Sequence, residues 1–563
     1  MAIATLLLER GLVTREQLDQ AQAEQGATGE HLDRVLVRMG LVTRDQVLAA
    51  LGEQFHMPVV DLSTISLDPA VLASLPSKLV YRQHCLPISR DQGVITVATS
   101  DPYDLSVLDE LRLLTGCSIE VVLADPDELH KVIRQHYGVG GDTLDELSIG
   151  AGAAALESAP ADEVEQAQEA SVIRLVNDIL AEAVSQRATD VHIEPYEHEL
   201  LVRYRIDGVL ERANVPATIN RFASAVISRL KIMANLNIAE KRKPQDGRIT
   251  FKHRFTGRPP EEFDLRVSVI PMLFGEGVVL RILSKTAALM SLDQLGMPLD
   301  VLTRWDRLIN RPHGILLVTG PTGSGKSTTL YASLNRIISD EIKAITVEDP
   351  VEYHVPGVNQ IQVNHKVGLD FSAGLRAILR HDPDVVMIGE IRDKETAEVA
   401  VQASLTGHLV FSTLHTNDAC GSTTRLLDMG IEPFLVSSSL EGVMAQRLVR
   451  RVCPSCAAPY APEHSEVEGI AEFAVAMEGG QTLVRGTGCR ECRNTGYRGR
   501  IGIYELLCVS DELREMITHR QSAPAIAATA RKTDDLYSLR ADAIAKVRAG
   551  VTTLGEMLRA LTA

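Results

Sequence analysis

Gly320-Pro321-Thr322-Gly323-Ser324-Gly325-Lys326-Ser327 is the stretch that sets the fold of the second half of this chain. It fits the phosphate-loop pattern G-x-x-x-x-G-K-[ST]. The apolar run before it, Ile315-Leu316-Leu317-Val318, reads as a buried parallel strand. Behind it, Leu330, Leu334, Ile337 and Ile338 recur at helical spacing. A glycine-rich turn between strand and helix lets backbone N–H groups wrap a polyphosphate at the positive end of the helix. In that geometry Lys326 reaches the β- and γ-phosphates, and the Ser327 hydroxyl binds Mg²⁺. A bound nucleotide is therefore expected. What the nucleotide is used for depends on residues elsewhere.

Acidic partners should stand on neighbouring strands. Asp384-Val385-Val386-Met387-Ile388-Gly389-Glu390 reads as a short apolar strand ending in an acid. Phosphate-loop enzymes commonly hold Mg²⁺ with an aspartate there. Here Gly389 precedes Glu390, which makes Glu390 the candidate for the metal, directly or through water. Asp393, beside Arg392, reads as a cap or salt-bridge residue. A second segment, residues 346–353, places three carboxylates (Glu348, Asp349 and Glu352) within five residues after an apolar strand. One of them can polarise an attacking water; the alternative is an acidic turn opened by Asp349-Pro350. A third, residues 407–416, is a strand bracketed by His408 and His415. A polar residue after it can sense the γ-phosphate, although a histidine there also suits an ordinary core or surface position.

With 563 residues, the chain is too long for one core, and roughly three to five domains are expected. Its 45% apolar and 23% charged residues are those of a globular protein. Aromatics make up only 4%, so the cores must rest on Leu, Val, Ile and Ala. A net charge of −17 weighs against nucleic acid as the main ligand. No apolar run approaches the length that crosses a bilayer, and Met1 to Leu8 lacks the basic lead-in of a secretory signal. Any membrane contact is expected to be peripheral.

Residues 1–138 read as one N-terminal domain, helical and then α/β. Leu6 to Arg15 reappears as Val35 to Arg44, and Glu24-Gln25 as Glu53-Gln54, at a common offset of 29. Each unit reads helix, glycine stop, Thr cap, second helix, with Thr14 and Thr43 as the caps. Strands are expected at Val94 to Ala98 and at Ile119 to Val122. Residues 139–169, rich in Gly, Ala, Asp and Glu, read as an acidic linker, with a surface helix conceivable at its end. A second folded unit, 170–289, opens on a helix near Ser171 and continues with strands at Leu200 to Arg205 and Phe263 to Ser268. The phosphate-loop domain occupies 290–450, a cysteine module 451–505, and a helical tail 506–563.

Eight cysteines occur. Cys453-x-x-Cys456 and Cys489-x-x-Cys492 are separated by 32 residues and sit in polar turns, Cys-Pro-Ser-Cys and Cys-Arg-Glu-Cys. Two such knuckles suit tetrahedral Zn²⁺ in a structural site with no open position. Disulfides or a redox pair are the competing readings, and a reducing cytoplasm disfavours disulfides. Cys85, Cys117, Cys420 and Cys508 show no framework spacing and read as buried thiols.

Taken together, these segments resemble the secretion ATPase superfamily of type II secretion and type IV pili. The likeness rests on the Walker A loop Gly320 to Thr328, the Asp box TVEDPVEY at 346–353, the Walker B run DVVMIGEIRD at 384–393 and the His box TGHLVFSTLHTND at 406–418. It extends upstream to RATDVHIEP at 187–195, to VRYRIDG at 202–208 and to QDGRI at 245–249. The resemblance implies a multidomain α/β chain: a docking domain, a PAS-like α+β domain, and a RecA-like ATPase core with a zinc-binding insertion and a helical C-terminus. It implies Glu352 as catalytic base, Glu390 as Walker B acid, Glu348 as a supporting acid near Mg²⁺ or water, and His415 as the His-box residue. Arg203, Arg205, Arg248 and Arg266 become candidates for contacts to the phosphates. ATP, Mg²⁺ and structural Zn²⁺ are the implied cofactors.

The segment GYRGRIGIYE at 496–505 resembles the stretch just after the cysteines in assembly ATPases, whereas retraction ATPases usually lack this module. An assembly or export motor is therefore implied: a cytoplasmic homohexamer, peripheral at the inner membrane, docked on a platform protein. Both type II secretion and type IV pilus assembly fit. A DNA-directed motor and a nucleotide-gated scaffold are the readings from other classes. Some relatives bind cyclic di-GMP through an R-L-G triplet before each N-terminal repeat. Ala2-Ile3-Ala4 and His31-Leu32-Asp33 stand in its place, which argues against that ligand.

Overall fold

Thr14 and Thr43 each end one helix pair's turn and start its second helix. Helices Ile3–Glu9 and Arg15–Thr28 form the first repeat, Leu32–Arg38 and Arg44–Phe55 the second. The hydroxyl of each Thr accepts the N–H of Gln17 or Gln46 at 3.3 Å. The glutamine carbonyls accept the Thr N–H groups in return, at 2.9 and 2.8 Å. These reciprocal capping boxes are the sequence repeat expressed as hydrogen bonds. Leu7, Val13, Ala21, Val35, Leu36 and Ala50 close the bundle's core.

The computed structural model describes residues 3–28, 31–65, 67–103, 106–141, 143–144, 161–255, 260–284, 290–467, 470, 473, 482–489 and 491–562. The chain divides into two units, Met1–Thr286 and Ala287–Ala563.

In the first unit the helical repeats lead into a three-stranded sheet. Cys85–Asp91 pairs antiparallel with Val94–Thr99, which pairs parallel with Ser118–Leu123. The linker expected over 139–169 falls largely on residues 142 and 145–160, outside the described ones. At its start, Val139 and Leu144 are buried in the core of the next domain. Its end belongs to helix Ala161–Ser185, which begins ten residues before the expected start at Ser171. That helix lies on a six-stranded, wholly antiparallel sheet. The strand order is Val209–Arg212, Leu200–Ile206, Asp190–Pro195, Gly275–Ser284, Glu261–Met272, Gln245–His253. Leu200, Val202, Tyr204 and Ile206 point into the core, while Arg203 and Arg205 lie on the opposite face.

The second unit is built on an eight-stranded sheet. Its order is Val358–Gln362, Ala344–Glu348, Val385–Ile388, Leu409–Leu414, Gly314–Thr319, Leu440–Val452, Tyr497–Cys508, Leu536–Tyr537. The first six strands pair in parallel, and the last two are joined on by antiparallel pairings. Gly314–Thr319 is buried along its whole length, as the apolar run requires. Helix Lys326–Ile337 buries Leu330, Leu334 and Ile337; Ile338 lies just past it in an extended conformation. Trp305, on helix Leu299–Ile309, is fully buried and donates to Ser333 Oγ of the Lys326–Ile337 helix at 2.9 Å. Strands Leu440–Val452 and Tyr497–Cys508 cross the expected boundaries at 450 and 505, so the cysteine module is an excursion between two strands of the main sheet. Of the four other cysteines, Cys85 and Cys420 are buried, whereas Cys117 and Cys508 are only half-buried.

Candidate active site

The phosphate loop sits at the carboxyl end of Gly314–Thr319, between two parallel neighbours, where open α/β sheets place their ligands. Gly320, Gly323 and Gly325 all have φ between +79° and +140°, a region that side chains resist. The loop also leaves no room behind it. A Cβ on Gly320 would stand 2.3 Å from the carbonyl oxygen of Gln446, and one on Gly325 2.8 Å from the Gln446 side-chain nitrogen. On the outward side Pro321, Thr322, Gly323 and Ser327 are exposed, and Thr328 is half-buried. The Ser324 hydroxyl is buried and finds no hydrogen-bond partner among the described residues. An open glycine cradle at a helix N-terminus fits a polyphosphate.

Lys326 begins the helix, and its Nζ donates to the carbonyls of Gly320 at 2.8 Å and Pro321 at 3.1 Å. Burial lowers its pKa below the ordinary lysine value, while the nearby Glu390 carboxylate opposes that shift. Glu390 follows strand Val385–Ile388. It accepts from Arg392 at 2.5 Å and lies 3.3 Å from His415 Nε2, just past strand Leu409–Leu414. At Gly389 a Cβ would sit close against the Phe371 ring at 3.3 Å and in ordinary contact with the Glu348 backbone at 3.4 Å. Asp393 caps helix Lys394–Leu405 by accepting the Thr396 N–H at 2.8 Å.

The Asp-box acids separate by environment. Glu348 ends strand Ala344–Glu348 and is buried. Its oxygens accept from the Tyr331 hydroxyl, from Thr346 Oγ1 at 2.7 Å and from Gln360 Nε2 at 3.0 Å. Glu352 stands half-buried in the loop after this strand, its N–H bonded to the Tyr331 hydroxyl at 3.2 Å. Thr319 at the end of the phosphate-loop strand accepts the Thr416 N–H at 2.9 Å and ties that strand to the His box. Sequence reasoning missed Tyr331 and Gln446. Gln446 Oε1 accepts from Thr329 Oγ1 at 2.6 Å and braces the loop from behind. Neither lies in a recognisable motif.

Arg203, Arg205, Arg248 and Arg266 belong to the first unit. They share one face of its six-stranded sheet. Register aligns Arg205, Asp190, Arg281, Arg266 and Arg248 in one row across five strands. Arg203 lies in the next row and pairs with Glu194 at 2.5 Å. Asp190, the single carboxylate of the row, bridges Arg281 at 3.3 Å and Arg205 at 3.7 Å. Arg281 was not singled out in the sequence; only strand register exposes it. Like charges side by side across a sheet are destabilising, so the row is suited to an anion.

The four module cysteines converge. All their sulfurs lie within 4.8 Å of one another. Cys453 and Cys489 are 3.8 Å apart, Cys456 and Cys492 3.8 Å, and Cys489 and Cys492 3.7 Å. A tetrahedral site with metal–sulfur bonds of about 2.3 Å has edges of about 3.8 Å. Burial raises the Cys492 thiol, but N–H bonds from Cys489 and Gly496 outweigh it and bring it down to about 6. Desolvation and the neighbouring thiols push Cys456 up to about 12. Four sulfurs at these spacings suit a metal ion that displaces their protons.

Phosphate loop, acidic strand ends and His box on a mostly parallel sheet define a RecA-like phosphate-loop ATPase. Residues 165–559 match the family described as "Type II/IV secretion system protein", and 55–143 the MshEN domain. The chain belongs to the type II/IV secretion system protein family. It is 50% identical over 472 residues to the type II secretion system ATPase E of Vibrio cholerae, covering 81% of this chain and 90% of that protein. With the type IV pilus assembly ATPase PilB of Myxococcus xanthus it shares 40% identity over 563 residues, 99% of this chain and 98% of the relative. Among solved structures, the ATPase DotB of Yersinia pseudotuberculosis matches with a TM-score of 0.51 and 20% identity, over 69% of this chain and 93% of its own. That likeness speaks to the fold. No described helix is long and apolar enough to cross a membrane.

Proposed function

We propose that this chain is the motor of a type II secretion system, working as a cytoplasmic hexamer at the inner membrane and docked on a platform protein to drive pseudopilus assembly. Relatives carrying the type II name at up to 50% identity support this reading. PilB, matched along 99% of the chain, supports pilus assembly as the second reading. ATP supplies the free energy, and Mg²⁺ neutralises phosphate charge when bound. Gly320 and Thr322 to Thr328 would offer N–H groups to the phosphates beside Pro321, the Lys326 ammonium would neutralise phosphate charge, and Ser327 with Glu390 would hold the metal. Arg203, Arg205, Arg248 and Arg266, with Arg281, are assigned to phosphate charge. Structural Zn²⁺ is assigned to Cys453, Cys456, Cys489 and Cys492.

The assignment of Glu352 as general base is carried by one observation. Glu348 is buried at the end of its strand, whereas Glu352 is only half-buried in the loop beyond it, with its N–H held by the Tyr331 hydroxyl. Glu352 is the Asp-box glutamate assigned to activate water. Glu352→Gln is expected to lower kcat by about a hundredfold or more while nucleotide still binds. Turnover at the wild-type rate would remove the base assignment. In cells, loss of the gene should retain exported proteins in the periplasm and leave surface pili intact; the reverse pattern selects pilus assembly.

A further inference from the structure

Tyr331 lies on the helix that begins with Lys326 and Ser327, and it is fully buried. Its hydroxyl works in two directions. It donates to the Glu348 carboxylate and accepts the Glu352 N–H at 3.2 Å. Gln360 completes the frame from the next strand. Its Nε2 donates to Glu348 Oε1 at 3.0 Å and to the Tyr353 carbonyl at 3.0 Å, and its Oε1 accepts the Val355 N–H at 2.9 Å. The Tyr353 ring meets Tyr331 edge-on, with centroids 6.2 Å apart. The loop from Asp349 to Val355 is therefore pinned on both sides of Glu352. One of those pins is rooted in the phosphate-binding helix. Burial, and next the Glu348 charge, raise the Tyr331 pKa, so the hydroxyl keeps the proton it donates.

We propose that Tyr331 is a positioning residue for hydrolysis: through its single oxygen it ties the helix bearing Lys326 and Ser327 to the loop bearing Glu352. This rests on the reading of Glu352 as the base. A rigid link of this kind sets where the base stands relative to the phosphates, and misplacement by about 1 Å can cost catalysis up to about a hundredfold. It gives Tyr331 a task that a core aromatic lacks, since Phe would fill the same space.

Steady-state hydrolysis and ADP affinity of the full chain test the link in wild type, Tyr331→Phe, Glu352→Gln and the double variant. Tyr331→Phe should lower kcat about tenfold with ADP affinity held within about twofold. In the Glu352→Gln background the same change should cost nothing further, because the group it positions is gone. Wild-type kcat in Tyr331→Phe, or a loss that adds in full to that of Glu352→Gln, would overturn the proposal. Failure of the base reading is separate: it appears as wild-type turnover in Glu352→Gln alone. Should Tyr331→Phe not fold, as judged by circular dichroism, Gln360→Met loosens the loop from its other side. It should lower kcat several-fold at unchanged ADP affinity, and wild-type kcat there overturns the proposal equally.

Discussion

Glu556 fastens the C-terminal helix Leu554–Thr562 to the long strand Leu440–Val452. Its carboxylate accepts from Arg559 at 2.8 Å, from the Arg450 guanidinium at 2.7 Å and from the Arg450 N–H at 3.0 Å. Burial alone would push this carboxyl up, but the donors outweigh it and hold it at about 2, below the ordinary 4.5. Because the folded value lies below the unfolded one, the stabilisation is complete above pH 4.5 and drains away as pH falls toward 2. Glu556→Gln should therefore flatten the acid limb of the stability curve in that window and lower stability at pH 7 by about 2 kcal/mol. Urea titrations across the pH range measure it; an unchanged acid limb would show that the pair contributes nothing. Arg447, three residues before Arg450, adds a second tie by donating to the Ala560 carbonyl.

At the scale of elements, strand Leu440–Val452 joins three functions. Gln446 braces the phosphate loop, Arg447 and Arg450 hold the C-terminal helix, and Cys453 comes directly after it as the first cysteine of the module. Anaerobically purified protein should hold about one zinc per chain by elemental analysis, and Cys489→Ser should lose the metal and lower the thermal midpoint. Absence of zinc from such preparations would refute the assignment. The phosphate loop and the cysteine knuckles were legible in the sequence because their chemistry is local: fixed spacings, glycines where φ is positive, thiols in paired turns. The helix start at Ala161 was legible only as the alternative of a surface helix at the end of the linker. Residues 161–170 are Ala-, Glu- and Gln-rich, which favours helix, but they carry no apolar stripe, and their acidity read as solvent-facing linker. Tyr331 and Gln446 act across long sequence separations, so no local pattern marks them.

Across the whole molecule, long-range register was the least legible layer. The arginine row of the first unit needs five strands in register before Arg281 joins Arg205, Arg248 and Arg266. The chain's net charge of −17 concealed it, because a bulk sum averages over faces. Likewise the expected boundaries at 450 and 505 bracketed the cysteine pairs and the segment after them, whereas the sheet runs through both. Trp305 carries a consequence of a different kind. It is the chain's single tryptophan, and it belongs to the second unit. Its indole N–H bonds Ser333, Ser333 bonds the Thr329 carbonyl, and Thr329 bonds Gln446. Tryptophan fluorescence, excited to the red of tyrosine absorption, is therefore an optical probe of the ATPase unit alone. Native emission should be blue-shifted, because a buried indole has no water to relax its excited-state dipole. During denaturation it should shift red at the midpoint of that unit, while far-ultraviolet dichroism follows both units. Separate midpoints by the two methods would reveal two independently melting halves within one chain.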